Sequence, residues 1–295
     1  MRKFRFLTLV MALLLLVMSG ALVSAQDEVT LTLAGWSSNP AEDAALRAAL
    51  DLFQEQNPGV TVNFIPSPDH TLTMQTAFAS GDYAEVFYVD SSRLPDWATA
   101  GVVAPAGDNI EDVGGYYPSL IDVFTIDGTL YCPPKDFSTM ALQYNRDLFD
   151  AAGIEYPTAD WTWDDLRAAA EATSAATPGI VGLVTPPNLE RWLPFLYQAG
   201  GALFDEEGNF VFDSDATREA LGLYIGMVND GIAGPPSAVD AGWGGEAFGE
   251  GRAAMAMEGN WVIQFLLENY PELNWGVTEL PAGPAGKATM AFTVC

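Results

Sequence analysis

Three short apolar runs, Val29 to Ala34, Val60 to Ile65 and Glu85 to Val89, alternate with two segments of helical periodicity. Few folds accommodate that alternation. A strand that returns parallel to its predecessor needs a crossover long enough to hold a helix, so the pattern predicts a parallel, doubly wound α/β sheet. The first helix begins with Asn39 as N-cap, Pro40 at the first helical position and Glu42 as capping-box acid, and Asn57-Pro58-Gly59 ends it. Leu46, Leu50 and Phe53 share its apolar face. The second helix spans about Thr71 to Ala79, with Leu72 and Phe78 inward.

In such sheets ligands bind beyond the carboxyl ends of the strands. Gly35, Trp36, Ser37 and Ser38 follow the first strand, and Asp90, Ser91, Ser92 and Arg93 follow the third. Small polar groups beside a large aromatic suit a sugar, whose hydroxyls need directional hydrogen bonds and whose C–H faces stack on a ring. Neither strand leads into a GxGxxG or Walker pattern, which argues against a phosphate ligand.

The stretch from Asp127 to Ile154 divides the chain. Asp127-Gly128 signals a tight turn between extended runs, Pro133-Pro134 forbids helix, and Met140 to Tyr144 restarts as a strand before a helix. Beyond it Thr162 and Asp165 form a capping box, with Trp161 and Leu166 at the positions of a hydrophobic staple. Ile180 to Val184 reads as a strand and Glu190 to Gly201 as a helix. Asp213 or Ser214 caps a further helix whose core face carries Leu221, Tyr224, Ile225 and Val228. Ala253 to Met257 is a strand, Gly259-Asn260-Trp261 opens a helix, and Trp275 to Leu280 returns as a strand.

Residues 1–25 read as a signal peptide cleaved after Ala25, with Arg2, Lys3 and Arg5 ahead of an apolar run and Val23-Ser24-Ala25 at the cleavage site. The chain is therefore expected outside the cytoplasm, periplasmic or extracellular. The remaining 270 of the 295 residues hold nine basic and 39 acidic side chains, a net charge of −30. Nucleic acid and anionic membranes are poor partners for that surface. Two cysteines, Cys132 and Cys295, do not make a disulfide scaffold, so a hydrophobic core must hold the fold.

Catalytic and metal patterns are sparse. His70, the single histidine, suits a surface or helix-start role. The sequence has no Cys-x-x-Cys or His-Glu-x-x-His, and the acidic run Asp205 to Asn209 reads as a turn, so neither a metal nor another cofactor is expected. Of the eight tryptophans, Trp161, Trp163 and Trp275 read as packing and Trp97 as a lobe-edge residue. Trp36, Trp192, Trp243 and Trp261 fall at element ends, where core packing and ligand stacking both remain open.

Two blocks in order carry a family resemblance. Gly128-x-Leu130-Tyr131-x-x-Pro134 followed by Tyr144-Asn145-Arg146-Asp147-Leu148-Phe149 and Ala152-Gly153 is similar to the hinge crossing of the extracellular sugar-binding proteins that feed ABC importers. Phe248-x-x-Gly251-Arg252-Ala253-Ala254-Met255 with Gly259-x-Trp261 is similar to the signature of the same family, maltose-binding protein being a familiar member. The resemblance implies a type II two-lobe periplasmic-binding-protein fold, doubly wound sheets joined by a hinge. Lobe one would be 26–138 plus 285–295 and lobe two 139–284. It implies a monomeric, non-enzymatic binder that closes on a mono- or oligosaccharide and is recognised by ABC permease subunits. A secreted carbohydrate-active enzyme, or a binder of a polyamine or peptide, is the alternative. By resemblance Trp261 would stack on the sugar, Trp36, Ser37 and the Asp90 to Arg93 loop would contact it from lobe one, and Asp136 and Ser138 would line the cleft. Trp192 and Trp243 lie in loops that vary in the family. Family members run on by on the order of a hundred residues. The fold is accordingly expected to be C-terminally incomplete, with Ala288 to Cys295 an edge strand of lobe one and Cys295 too mobile to bond dependably to Cys132.

Overall fold

The computed structural model of the chain describes residues 28–36, 40–67, 69–205 and 207–295. Residues 1–25, expected to be a signal peptide, Ser37 and the expected helix cap Asn39 lie outside the described residues. Contacts divide the chain into two compact units, up to Phe87 and from Tyr88, a different boundary from the one at the hinge crossing.

The first unit is β1 (Val29–Gly35), α1 (Pro40–Gln56), β2 (Val60–Pro66), α2 (His70–Ser80) and β3 (Val86–Phe87). Its three strands run parallel in the order β2-β1-β3, the expected doubly wound arrangement. Glu85 joins the sheet from outside the ladder, its carboxylate accepting the Thr32 N–H at 2.8 Å. Burial is thin here. α1 buries no residue: Leu46 and Leu50 are half-buried and Phe53 is exposed. Leu72 points outward, contrary to expectation, because α2 begins at His70 and turns the face holding His70, Met74 and half-buried Phe78 inward. His70 is thus a buried helix-start residue, its ring meeting the edge of Trp36 at 4.6 Å between centroids.

The second unit opens with α3 (Leu94–Thr99), α4 (Pro118–Val123) and the hairpin of β4 (Thr125–Ile126) and β5 (Thr129–Leu130). Asp127 and Gly128 both have positive φ, 50° and 76°, as a two-residue hairpin turn of matching twist requires. Then come β6 (Asp136–Thr139), β7 (Ala141–Asn145), α5 (Arg146–Ala152), α6 (Trp163–Ala176), β8 (Val181–Val184), α7 (Leu189–Gln198), α8 (Asp215–Asn229) and β9 (Ala233–Gly234). The unit ends with α9 (Gly244–Gly249), β10 (Ala253–Glu258), α10 (Trp261–Asn269), β11 (Trp275–Thr278) and β12 (Ala291–Val294).

Five strands form its main sheet in the order β11-β7-β10-β8-β9, with β10, β8 and β9 parallel and β7 antiparallel to both neighbours. All six residues of β10 are buried. Its alanines and methionines allow helices to close over the sheet, and Gly182 on β8 lets α6 approach until a Cβ there would collide with the Ala170 backbone. The Thr162–Asp165 capping box forms, Trp161 packs on the core that contains Leu166, and the Trp163 indole donates to Gln198 Oε1 at 2.6 Å. Ser214 is the cap of α8. That helix buries Ala220, Tyr224 and Met227, and Ile225 is exposed rather than in the core, since it follows Tyr224 by a single residue, about 100° around the helix.

The last segment departs most from expectation. β12 is no bare edge: it pairs antiparallel with β6 on one side, while Val89 and Ser91 hydrogen-bond to Cys295 and Thr293 on the other. Cys295 is fixed, forming a disulfide with Cys132 across a Cα–Cα distance of 5.7 Å. Two-sided backbone pairing holds the terminal residues in place for that bond.

Candidate functional site

β10 ends at Glu258 and the chain turns through Gly259-Asn260 into α10. Buried Gln143 of β7 fixes this end, donating to the Glu258 carbonyl at 3.0 Å and accepting its N–H at 2.9 Å. Gly259 is required by close approach, because a Cβ would collide with the Trp261 ring. The Asn260 N–H donates to Ser138 Oγ at 2.9 Å, bringing β6 to the turn.

The second contribution comes from α7. Asn188 caps it, its side chain accepting the Arg191 N–H at 3.0 Å, and so sets Arg191 on the first turn. Arg191 Nη2 donates to Glu258 Oε2 at 2.6 Å, with the two side chains 13% and 1% exposed. The Trp261 indole N–H reaches the same oxygen at 2.9 Å. The guanidinium also lies over the Trp261 and Phe292 rings, 5.4 and 5.5 Å from their centroids. Burial pushes the Glu258 carboxyl pKa up, and the charge and hydrogen bond of Arg191, then the Trp261 hydrogen bond, oppose it. A charge this buried needs its partner.

Loops complete the walls. Tyr224 anchors Pro186-Pro187, its hydroxyl donating to the Pro186 carbonyl at 2.7 Å, and burial raises that phenol's pKa. Trp243, half-buried, sets its ring edge-on to Phe265 at 4.7 Å. Together these enclose a cavity of about 340 Å³ lined by Pro186, Pro187, Pro235 and Pro236 with Trp243, Arg191 and Glu258. Apolar ring faces stand beside one carboxylate and one guanidinium, a mixture that offers stacking, a hydrogen-bond acceptor and donors to a single small ligand. Among the described residues no group of three metal-ligating side chains occurs.

The residues expected at a site fall in different places. Trp261 and Ser138 meet at the Gly259 turn, and Trp243 lines the cavity. Asp90 is used locally, its carboxylate accepting the Ser92 N–H and its carbonyl the Arg93 N–H, while Ser91 bonds to β12. Asp136 pairs with Lys135 at the surface. Trp36 sits against His70 in the first unit. Trp192 is a core residue, 4% exposed and edge-to-face with Phe212, since Arg191 takes the pocket side of α7 and its neighbour turns inward. Sequence reasoning passed over Arg191 and Glu258. The available signals were an acid ending the apolar strand Ala253 to Met257, and Asn188 as a cap three residues before Arg191.

Comparison with known proteins agrees with this architecture. The family model for bacterial extracellular solute-binding proteins matches residues 37–294. A putative binding protein of Brucella abortus is 28% identical over 279 residues, covering 90% of this chain; the chain spans 66% of that relative's length. An ABC substrate-binding protein of Listeria monocytogenes, solved with cycloalternan, matches with a TM-score of 0.79 and 30% identity over 91% of this chain and 70% of that one. The GacH receptor of Streptomyces glaucescens, solved unliganded and with acarbose, matches at 0.74 and 26% over 90% and 71%. The type II two-lobe α/β fold expected from the sequence is the fold these likenesses carry.

Proposed function

This chain belongs to the bacterial extracellular solute-binding protein family, and we propose that it is the extracytoplasmic binding component of an ABC importer, taking up a mono- or oligosaccharide and presenting it to membrane permease subunits. The observation that carries the reading is the pocket, where Trp243 and four prolines stand beside the Arg191–Glu258 pair. Ring faces match the C–H faces of a sugar, and the ion pair matches its hydroxyls. The bound cycloalternan and acarbose of the two solved neighbours support a saccharide ligand.

The lobe division, 26–138 with 285–295 and then 139–284, belongs to this proposal, as do export through the leader and a monomeric state. The pocket falls wholly in the second lobe so defined. Trp36, Ser37, Asp90, Ser91, Ser92, Arg93, Asp136, Ser138 and Trp261 are proposed as further ligand contacts; core packing accounts for Trp192. A glycosidase would need a second carboxylate facing the same sugar, and Glu258 is the single one lining this pocket among the described residues.

Calorimetric titration with maltotriose, mannotriose and lactose, beside spermidine and a tripeptide, tests the reading, with chromatography of the recovered sugars. Saturable binding of a saccharide, recovered intact, is the expected result. Binding of spermidine or the peptide alone, or recovery of shortened sugars, overturns it.

A further inference from the structure

Half of the Arg191–Glu258 pair is not used by the fold. Oε2 of Glu258 takes both the Arg191 Nη2–H and the Trp261 indole N–H. Among the described residues, Oε1 accepts from no other group and neither Nε nor Nη1 of Arg191 donates to one; Nε is buried, and both side chains line the pocket, Glu258 being 1% exposed. Gly244 leaves the space beside Oε1, where a Cβ would collide with it. With Nε buried, the pair offers the pocket one acceptor, Oε1, and one donor, Nη1, joined through a single ion pair of zero net charge.

We propose that this acceptor and donor read two neighbouring hydroxyls of one neutral sugar ring, which makes Arg191 and Glu258 the residues that decide which saccharides the pocket accepts. The inference rests on the sugar-binding reading above. A hydroxyl can both donate and accept, so one donates to Oε1 while its neighbour accepts from Nη1. Once a ring covers the pair, water cannot substitute for a missing contact, and a ligand lacking either hydroxyl leaves a buried polar group unpaired. A ligand with its own charge would leave an uncompensated charge beside a neutral pair, so uronic acids and amino sugars are excluded. Lysine cannot replace Arg191, since its ammonium cannot hold Glu258 and reach a second acceptor with the planar fork of guanidinium.

The test titrates the protein with maltotriose, mannotriose and lactose, with the trimers of galacturonic acid and glucosamine, and with singly deoxygenated derivatives of whichever neutral sugar binds. A neutral sugar should bind and the charged trimers should not. At least one deoxygenated derivative should bind about a hundredfold or more weaker. In Arg191→Lys that deoxygenation penalty should shrink, a coupling that general loss of stability would not produce. The ligand series needs no variant, so it decides even if Arg191→Lys folds poorly. If no saccharide binds, the sugar-binding reading and this inference fall together. If neutral and charged trimers bind alike, or every deoxygenated derivative binds like its parent, this inference alone falls.

Discussion

Helices α1 and α6 show the same amphipathic period and opposite fates. α1 spans 17 residues and buries none of them, whereas α6, with 14, buries Trp163, Leu166, Ala169, Ala170 and Thr173. The units around them differ in the same way. In the first, Leu52, Ile65 and Leu72 are each more than half exposed; in the second, β10 is covered along its whole length. Periodicity states which face of a helix is apolar and says nothing of what covers it. Stabilisation follows the apolar area removed from water, so it resides chiefly in the residues from Tyr88 onward. The pocket is built there, on β10 and α7, where rigid elements hold Glu258 and Arg191 to fixed distances.

The largest test of that difference is a pair of leucine truncations. Leu166→Ala removes a fully buried side chain and should cost about 2–5 kcal/mol, while Leu52→Ala, at 54% exposure, should stay within about 0.5 kcal/mol. Urea unfolding of both variants beside the parent checks it. Equal losses would mean that α1 is covered in solution and that the two units are packed alike.

A smaller effect should come from the disulfide. Cys132 and Cys295 both lie in the second unit and enclose a loop with a sequence separation of 163. Cys132→Ser should lower stability by about 2–4 kcal/mol. Hydrogen exchange should show the loss at β12, β6 and Val89, with the amides of β1 and β2 unchanged. Faster exchange in β1 as well would show that the two units unfold as one.

What the sequence disclosed, and what it withheld, follows from how far each signal reaches. The Asp127-Gly128 turn, the Thr162–Asp165 cap and the Gly259-Asn260-Trp261 turn were legible because each is complete within a few residues. Leu72 and Ile225 were misread as inward because a helix has several apolar positions and only tertiary packing selects among them. Arg191 and Glu258 stand 67 residues apart, and nothing local to either announces the other. Core packing and ligand stacking stayed open for Trp192 for the same reason: one step around the helix separates Arg191, which lines the pocket, from a ring in the core. The Cys132–Cys295 bond depends on β12 having partners on both sides, which strand propensity alone does not reveal.

The subtlest contrast lies between two exposed carboxylates that accept backbone hydrogens, one in each unit. Hydrogen bonds from the Thr162 side chain and backbone hold the Asp165 carboxyl below the usual carboxylate pKa, and the Thr32 N–H does the same for Glu85. In both, the folded pKa lies beneath the unfolded one. The stabilisation is therefore fully present above the ordinary carboxylate range and is lost as pH falls through the folded value, below about pH 4. Carboxyl titration followed by NMR should give both groups midpoints below those of model peptides. Thr162→Ala should return Asp165 towards its ordinary value and cost about 1 kcal/mol, because it removes the helix cap as well as the donor. For Glu85 the leading donor is the Thr32 backbone N–H, which no substitution removes, so there Glu85→Gln should abolish the acid-range shift of the Thr32 amide resonance. An ordinary Asp165 midpoint in the unaltered protein would mean that the capping box frays in solution. An ordinary Glu85 midpoint beside a depressed Asp165 would mean instead that β1 is loosely held at Thr32, and the division between a thinly packed first unit and a firm second one would be sharper than the burial pattern alone requires.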